Sequence, residues 1–90
     1  MAKPSIDQIR SRVRKVIAAD KGYDQNEIHD GDSLQKDLRY DKTGLKALTP
    51  DINDEFFVAG KGLSIKQVGG CERVSDIADN VDEQPMGDFK

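Results

Sequence analysis

Ninety residues make one domain, with chain enough for a single modest core and too little for a deep, lidded substrate cleft; a binding module is expected over a complex enzyme. Charged residues (34%) nearly equal apolar ones (36%), which is polar yet foldable, and the net charge of −3 argues against broad nucleic-acid binding, which needs a basic surface to displace counterions. No apolar run reaches the roughly 18 residues of a membrane span, and Met1-Ala2-Lys3-Pro4 lacks the apolar segment of a secretion signal, so a monomeric, cytoplasmic protein is expected. The one cysteine, Cys71, excludes an internal disulfide and reads as a small buried apolar residue.

In chain order, residues 1–4 are expected to be flexible. Ser5-Ile6-Asp7-Gln8 has the form of a capping box and opens a helix. Ile6, Ile9, Val13, Val16 and Ile17 recur at helical spacing, while Arg10, Arg12, Arg14 and Lys15 read as a solvated face. Gly22 is a natural left-handed stop, with Lys21 suiting the negative end of the helix dipole. From residue 23 to 36 the chain reads as a loop tied down by Tyr23, Ile28, Leu34 and then Leu38, with a turn at Asp30-Gly31-Asp32. An EF-hand loop from Asp30 fails, because Leu34 stands at a ligand position and Gln35 at the required glycine; Asp51-Ile52-Asn53-Asp54-Glu55 fails likewise at Phe56. His29 has no second His or Cys at ligand spacing and reads as exposed.

Leu45, Leu48, Ile52, Phe56 and Phe57 share helical spacing, but Pro50 would cost an interior helix about 3 kcal/mol. Thr49-Pro50-Asp51 fits an N-cap followed by proline at the first helical position, which predicts an irregular turn over 42–48 and a helix from Pro50 to Phe57. Gly60, Gly62, Gly69 and Gly70 bracket Leu63 to Val68, a segment that alternation reads as a strand and Ser64, as a cap, reads as one helical turn. Gly60-Lys61-Gly62 lacks the spacing of a phosphate loop, so these glycines read as hinges and caps. Val74, Ile77, Ala78 and Val81 form a last amphipathic helix, with Asp76, Asp79, Asp82 and Glu83 as its solvated face. The expected organisation is a helical domain over 5–83 and a disordered tail over 84–90.

Several stretches carry a family likeness. Arg12-Val13-Arg14-Lys15-Val16-Ile17 resembles an Arg-Val-x-Lys-Ile-Ile first helix, and Gly22 to Ile28 resembles the turn that follows it. Ser33-Leu34 and Asp37-Leu38 match two anchors, Asp54-Glu55-Phe56 matches the acidic end of a second helix, and Val74-Ser75-Asp76-Ile77 resembles the opening of a last one. In this order, and without a gap from Arg12 to Phe56, the chain resembles the acyl carrier proteins. The resemblance implies an all-α bundle of three or four helices, here with an irregular glycine-rich connection.

The family's chemistry sits in Asp-Ser-Leu at the start of the second helix, where the serine hydroxyl accepts 4'-phosphopantetheine. In this register Asp41 matches the aspartate, Lys42 replaces the serine and Thr43 the leucine. The resemblance therefore implies the carrier fold without its cofactor. Lys42 and Lys46 add positive charge to a surface typically acidic in carriers, so basic-faced synthases should bind poorly. The expected function is a protein-interaction module with an unknown protein partner, its surface formed by Tyr40, Asp41, Lys42, Thr43, Leu45 and Lys46. The alternative is a genuine acyl carrier, of fatty acid or polyketide type, with phosphopantetheine on Ser33 in Asp32-Ser33-Leu34; Ser33 also reads as a local cap. Thr43, a secondary hydroxyl beside Gly44, fits neither the motif nor its helix. With one His, one Cys, no nucleophile-base arrangement and no metal set, neither an enzyme nor a metal site is expected.

Overall fold

The computed structural model describes residues 3–90. The expectation for residues 1–4 lies outside this range for Met1 and Ala2; Lys3 is held, its ammonium 3.0 Å from Asp82 Oδ1. The fold is an all-α bundle of α1 (Ile6–Lys21), α2 (Lys42–Phe56), α3 (Ile65–Gly69) and α4 (Val74–Asp82). Among the described residues there is no β-sheet, only two isolated antiparallel bridges. α1 packs against both α4 and α2, and α3 packs on α2.

Local signals set the ends of α1. The Ser5 hydroxyl accepts from Gln8 N–H at 3.2 Å while Gln8 Oε1 accepts from Ser5 N–H at 2.9 Å, closing the capping box. Gly22, at φ 76°, ends the helix in the left-handed region. Ile9, Val13 and Ile17 are fully buried, and Val16 packs at the edge of the core. The basic face is not simply solvated, which corrects the expectation for two of its members. Arg12 donates to Glu55 Oε2 and to the Glu55 carbonyl across to α2, and its guanidinium lies 4.6 Å from the centre of the Phe56 ring. Arg14 pairs with Asp30 at 2.6 Å. These contacts bolt α1 to α2 and to the following loop.

α2 departs from the sequence reading: it begins at Lys42 and runs through Pro50 without a break. Its stripe of Leu45, Leu48, Ile52 and Phe56 is at most 3% exposed. At roughly 1.5–3 kcal/mol for each buried side chain, this stripe outweighs the ~3 kcal/mol that proline costs. Thr49 serves the helix as an interior residue and not as a cap, donating its hydroxyl to the Leu45 carbonyl at 2.9 Å. The carbonyl that loses its N–H partner to Pro50 is that of Lys46, itself an exposed residue, so water can replace the bond.

The glycine-rich connection resolves the segment from Leu63 to Val68 as helix. Ser64 caps α3, accepting from Gln67 N–H at 3.1 Å, and Val68 is buried. The connection is anchored by Asn53 on α2, whose side chain both accepts from Leu63 N–H (2.8 Å) and donates to the Leu63 carbonyl (2.9 Å). α4 buries Val74, Ile77, Ala78 and Val81 completely. Its acidic face is partly structural: Asp76 accepts from the N–H groups of Glu72 and Arg73, both at 3.0 Å, and Asp82 holds Lys3.

The disordered tail expected over 84–90 is also corrected. Phe89 is 5% exposed, its ring centre lies 4.8 Å from that of Phe57, and the two residues form an antiparallel bridge. Val58 N–H donates to the Asp88 carbonyl and Lys90 N–H to the Phe56 carbonyl, each at 2.9 Å. An apolar side chain with ladder-type backbone bonds on both sides has no reason to fray.

Candidate functional site at the start of α2

The loop leading into α2 is a tight structure built from its own polar groups. Asp37 accepts from Ser33 N–H at 2.7 Å, the Ser33 hydroxyl accepts from Lys36 N–H at 3.1 Å, and Tyr40 N–H donates to the Leu34 carbonyl at 2.8 Å. Leu34 and Leu38 fasten it to the core, as does Ile28 upstream; Tyr23, expected as a further anchor, is 45% exposed. Arg39 closes the loop in the left-handed region at φ 61°, where a residue with a Cβ is uncommon.

Tyr40 is the hub of this region. It is 3% exposed, and its hydroxyl donates to Asp20 Oδ2 at 2.7 Å. Burial, then that hydrogen bond and the nearby charges of Asp20 and Asp51, push its phenol well above the ordinary tyrosine range. The Lys21 ammonium lies 4.0 Å from the ring centre. From α2 comes Gly44, where a Cβ would stand 3.1 Å from Tyr40 Cδ1 and 3.2 Å from Asp41 Oδ1. A glycine in the first turn lets the helix settle close against the ring.

Asp41 is the N-cap of α2, its Oδ1 accepting from Gly44 N–H at 2.7 Å. Lys42 is the first helical residue, and Lys42, Thr43 and Lys46 are all exposed. The six residues expected to form a partner surface therefore divide. Tyr40 and Leu45, at most 3% exposed, point into the core, which corrects their place in that surface; Asp41, Lys42, Thr43 and Lys46 are accessible. The periodicity of α2 marks Leu45 as a core residue, but the inward turn of Tyr40 depends on Asp20 and Lys21, which are distant in sequence. Sequence reasoning missed Arg39 and Lys21, both beside Tyr40. Nothing local announces a left-handed arginine or a cation placed over a ring from another helix.

At this helix start the Asp41 carboxylate suits the positive end of the dipole, while the lysines oppose it. No acid stands in the first turn of α2, and Lys42 lies at the positive end of the dipole, an arrangement that costs about 0.3–1 kcal/mol. Lys46, four residues on, adds like-charge repulsion of a few tenths of a kcal/mol, on the order of an exposed i,i+4 pair.

The other singled-out residues lie elsewhere. Ser33 is half-buried, pairs with Arg73 in an isolated bridge and caps its own turn. Cys71 is buried; its thiol donates to the Gln67 carbonyl and accepts from the Asn80 amide, both at 3.2 Å. His29 is exposed, with Nδ1 3.6 Å from Asp32 Oδ2. No group of three or more potential metal ligands occurs among the described residues, and none of their helices is long and apolar enough to cross a membrane. No family model matches the chain, and no curated protein matches it.

Proposed function

We propose that the chain is an acyl-carrier-type helical scaffold that carries no phosphopantetheine, has no catalysis of its own, and acts by binding a protein partner through the accessible start of α2. The observation that carries this reading is Lys42: an exposed residue opening the second α-helix directly after its capping aspartate, at the position the resemblance gives to the modified serine. The residue does not fit the arm, because an ammonium offers no hydroxyl for the phosphodiester link. Ser33 is a poor substitute, since its hydroxyl caps Lys36 in a short turn and the next helix, α2, begins only at Lys42.

The test is the intact mass of the purified protein after incubation with coenzyme A and a broad-specificity phosphopantetheinyl transferase, beside an authentic carrier. An unchanged mass while the control gains one arm supports the proposal. A gain that disappears in Ser33→Ala overturns it in favour of a carrier loaded at that serine.

A further inference from the structure

Residues 36–46 bring Lys36, Arg39, Lys42 and Lys46 together against only Asp37 and Asp41, in a chain that overall has 14 basic and 17 acidic residues. All four cations are exposed, and among the described residues none forms a salt bridge. The two aspartates are engaged locally, accepting from the N–H groups of Ser33 and Gly44. Elsewhere Lys3, Arg12 and Arg14 each join separate segments through a carboxylate, and the other exposed, unpaired lysines, Lys15, Lys61 and Lys66, are spread along the chain and not grouped. The cations of 36–46 hold nothing. Lys21 lies apart from them: it sits over the Tyr40 ring, with Asp20 and Asp51 nearby, on the side of α2 that Gly44 faces and Lys42 and Lys46 do not. Lys42 and Lys46, four residues apart, share a face of α2. The cluster repels itself and opposes the helix dipole, both of which a bound anionic group would relieve.

We infer that the exposed cations of residues 36–46 dock an acidic protein segment, a short run of Asp and Glu side chains on the partner, held by Lys36, Arg39, Lys42 and Lys46. The inference rests on the reading of the start of α2 as the partner surface. A short carboxylate run matches a patch confined to one part of a molecule whose extents are 34 × 25 × 19 Å. A long polyphosphate chain would continue past the patch onto a remainder that is net acidic, where it is repelled.

The experiment is a fluorescence-anisotropy titration of a labelled oligoglutamate peptide at low salt. It compares the natural chain with a patch variant, Lys42→Glu with Lys46→Glu, and with a control, Lys61→Glu with Lys66→Glu, which reverses two exposed cations outside the patch for the same net charge. The patch variant is expected to bind about tenfold or more weakly and the control within about threefold of the natural chain, all binding fading as salt rises. Because Lys42→Glu places an acid in the first turn of α2, the patch variant should melt no lower than the natural chain. Lys36→Gln with Arg39→Gln supplies a second test away from the helix. Equal weakening in patch and control variants, no binding by the natural chain, or tighter binding of a short labelled RNA would overturn the inference. Phosphopantetheine uptake would remove the interaction-module reading itself, whereas an unmodified mass without peptide preference removes only the acidic partner.

Discussion

Gly62 and Gly60 both stand at positive φ, at 125° and 83°, yet alanine should affect them very differently. At Gly60 an added Cβ meets nothing within 4 Å, so Gly60→Ala carries only the left-handed backbone penalty of about 1–2 kcal/mol. At Gly62 the Cβ would stand 2.2 Å from Asn53 Oδ1 and 2.8 Å from Phe57 Cδ2. Asn53 must then release one or both of its hydrogen bonds to Leu63, each worth about 0.5–1.5 kcal/mol, and Phe57 is 2% exposed and cannot step aside freely. With backbone strain of roughly 1–3 kcal/mol added, Gly62→Ala should cost about 3–5 kcal/mol, a large part of the stability of a domain this size. Urea unfolding followed by far-ultraviolet circular dichroism measures both variants; at a slope of roughly 1–3 kcal/mol per molar urea, the Gly62→Ala midpoint should fall by about 2 M. Asn53→Ala combined with Gly62→Ala should cost less than the two changes separately, by about 1 kcal/mol or more, because the clash is with the side chain removed. Equal midpoints for Gly60→Ala and Gly62→Ala, or strict additivity with Asn53→Ala, would refute the close-approach argument.

Three further outcomes follow from the packing. Pro50→Ala restores an N–H to the interior of α2 and should stabilise the protein by about 1–2 kcal/mol after allowing for the freer unfolded chain; no gain in the thermal midpoint would mean that α2 tolerates proline without cost. Phe89→Ala should lose about 2–3 kcal/mol in the same urea assay, and removal of residues 85–90 at least as much, whereas a dangling tail would lose nothing. The Cys71 thiol is pushed up to about 11 from its ordinary 9.0, chiefly by burial, with the Asn80 hydrogen bond opposing and the charges of Asp76 and Asp79 adding. Its folded pKa lies above the unfolded one, so its contribution is whole below pH 9 and is lost as pH rises towards 11, by up to ~1.4 kcal/mol per pH unit in that window. Tyr40, raised in the same direction, adds to the loss above pH 10, so Cys71→Ser should remove the loss between pH 9 and 10 and reduce it between pH 10 and 11.

Signals that act within one turn of chain were sufficient for much of the bundle. The Ser5 capping box, the Gly22 stop and the apolar spacing of α1 and α4 identify those helices because caps and faces are properties of neighbouring residues. The absence of a hydroxyl at Lys42 and the excess of cations over residues 36–46 are likewise plain in the sequence alone. Tertiary structure decided what depends on partners far along the chain. The core gave α2 a reason to continue through Pro50 that no local propensity contains, and Phe57 turned an expected tail into a docked segment. Asn53 and the Ser64 cap settled a segment whose own pattern fits strand and helix equally. At the candidate site, Asp20 and Lys21 drew Tyr40 inward, leaving the cations around it on the surface. Local sequence shows which side chains can bury or bind, but their final side is set by burial free energy summed over contacts distant in sequence.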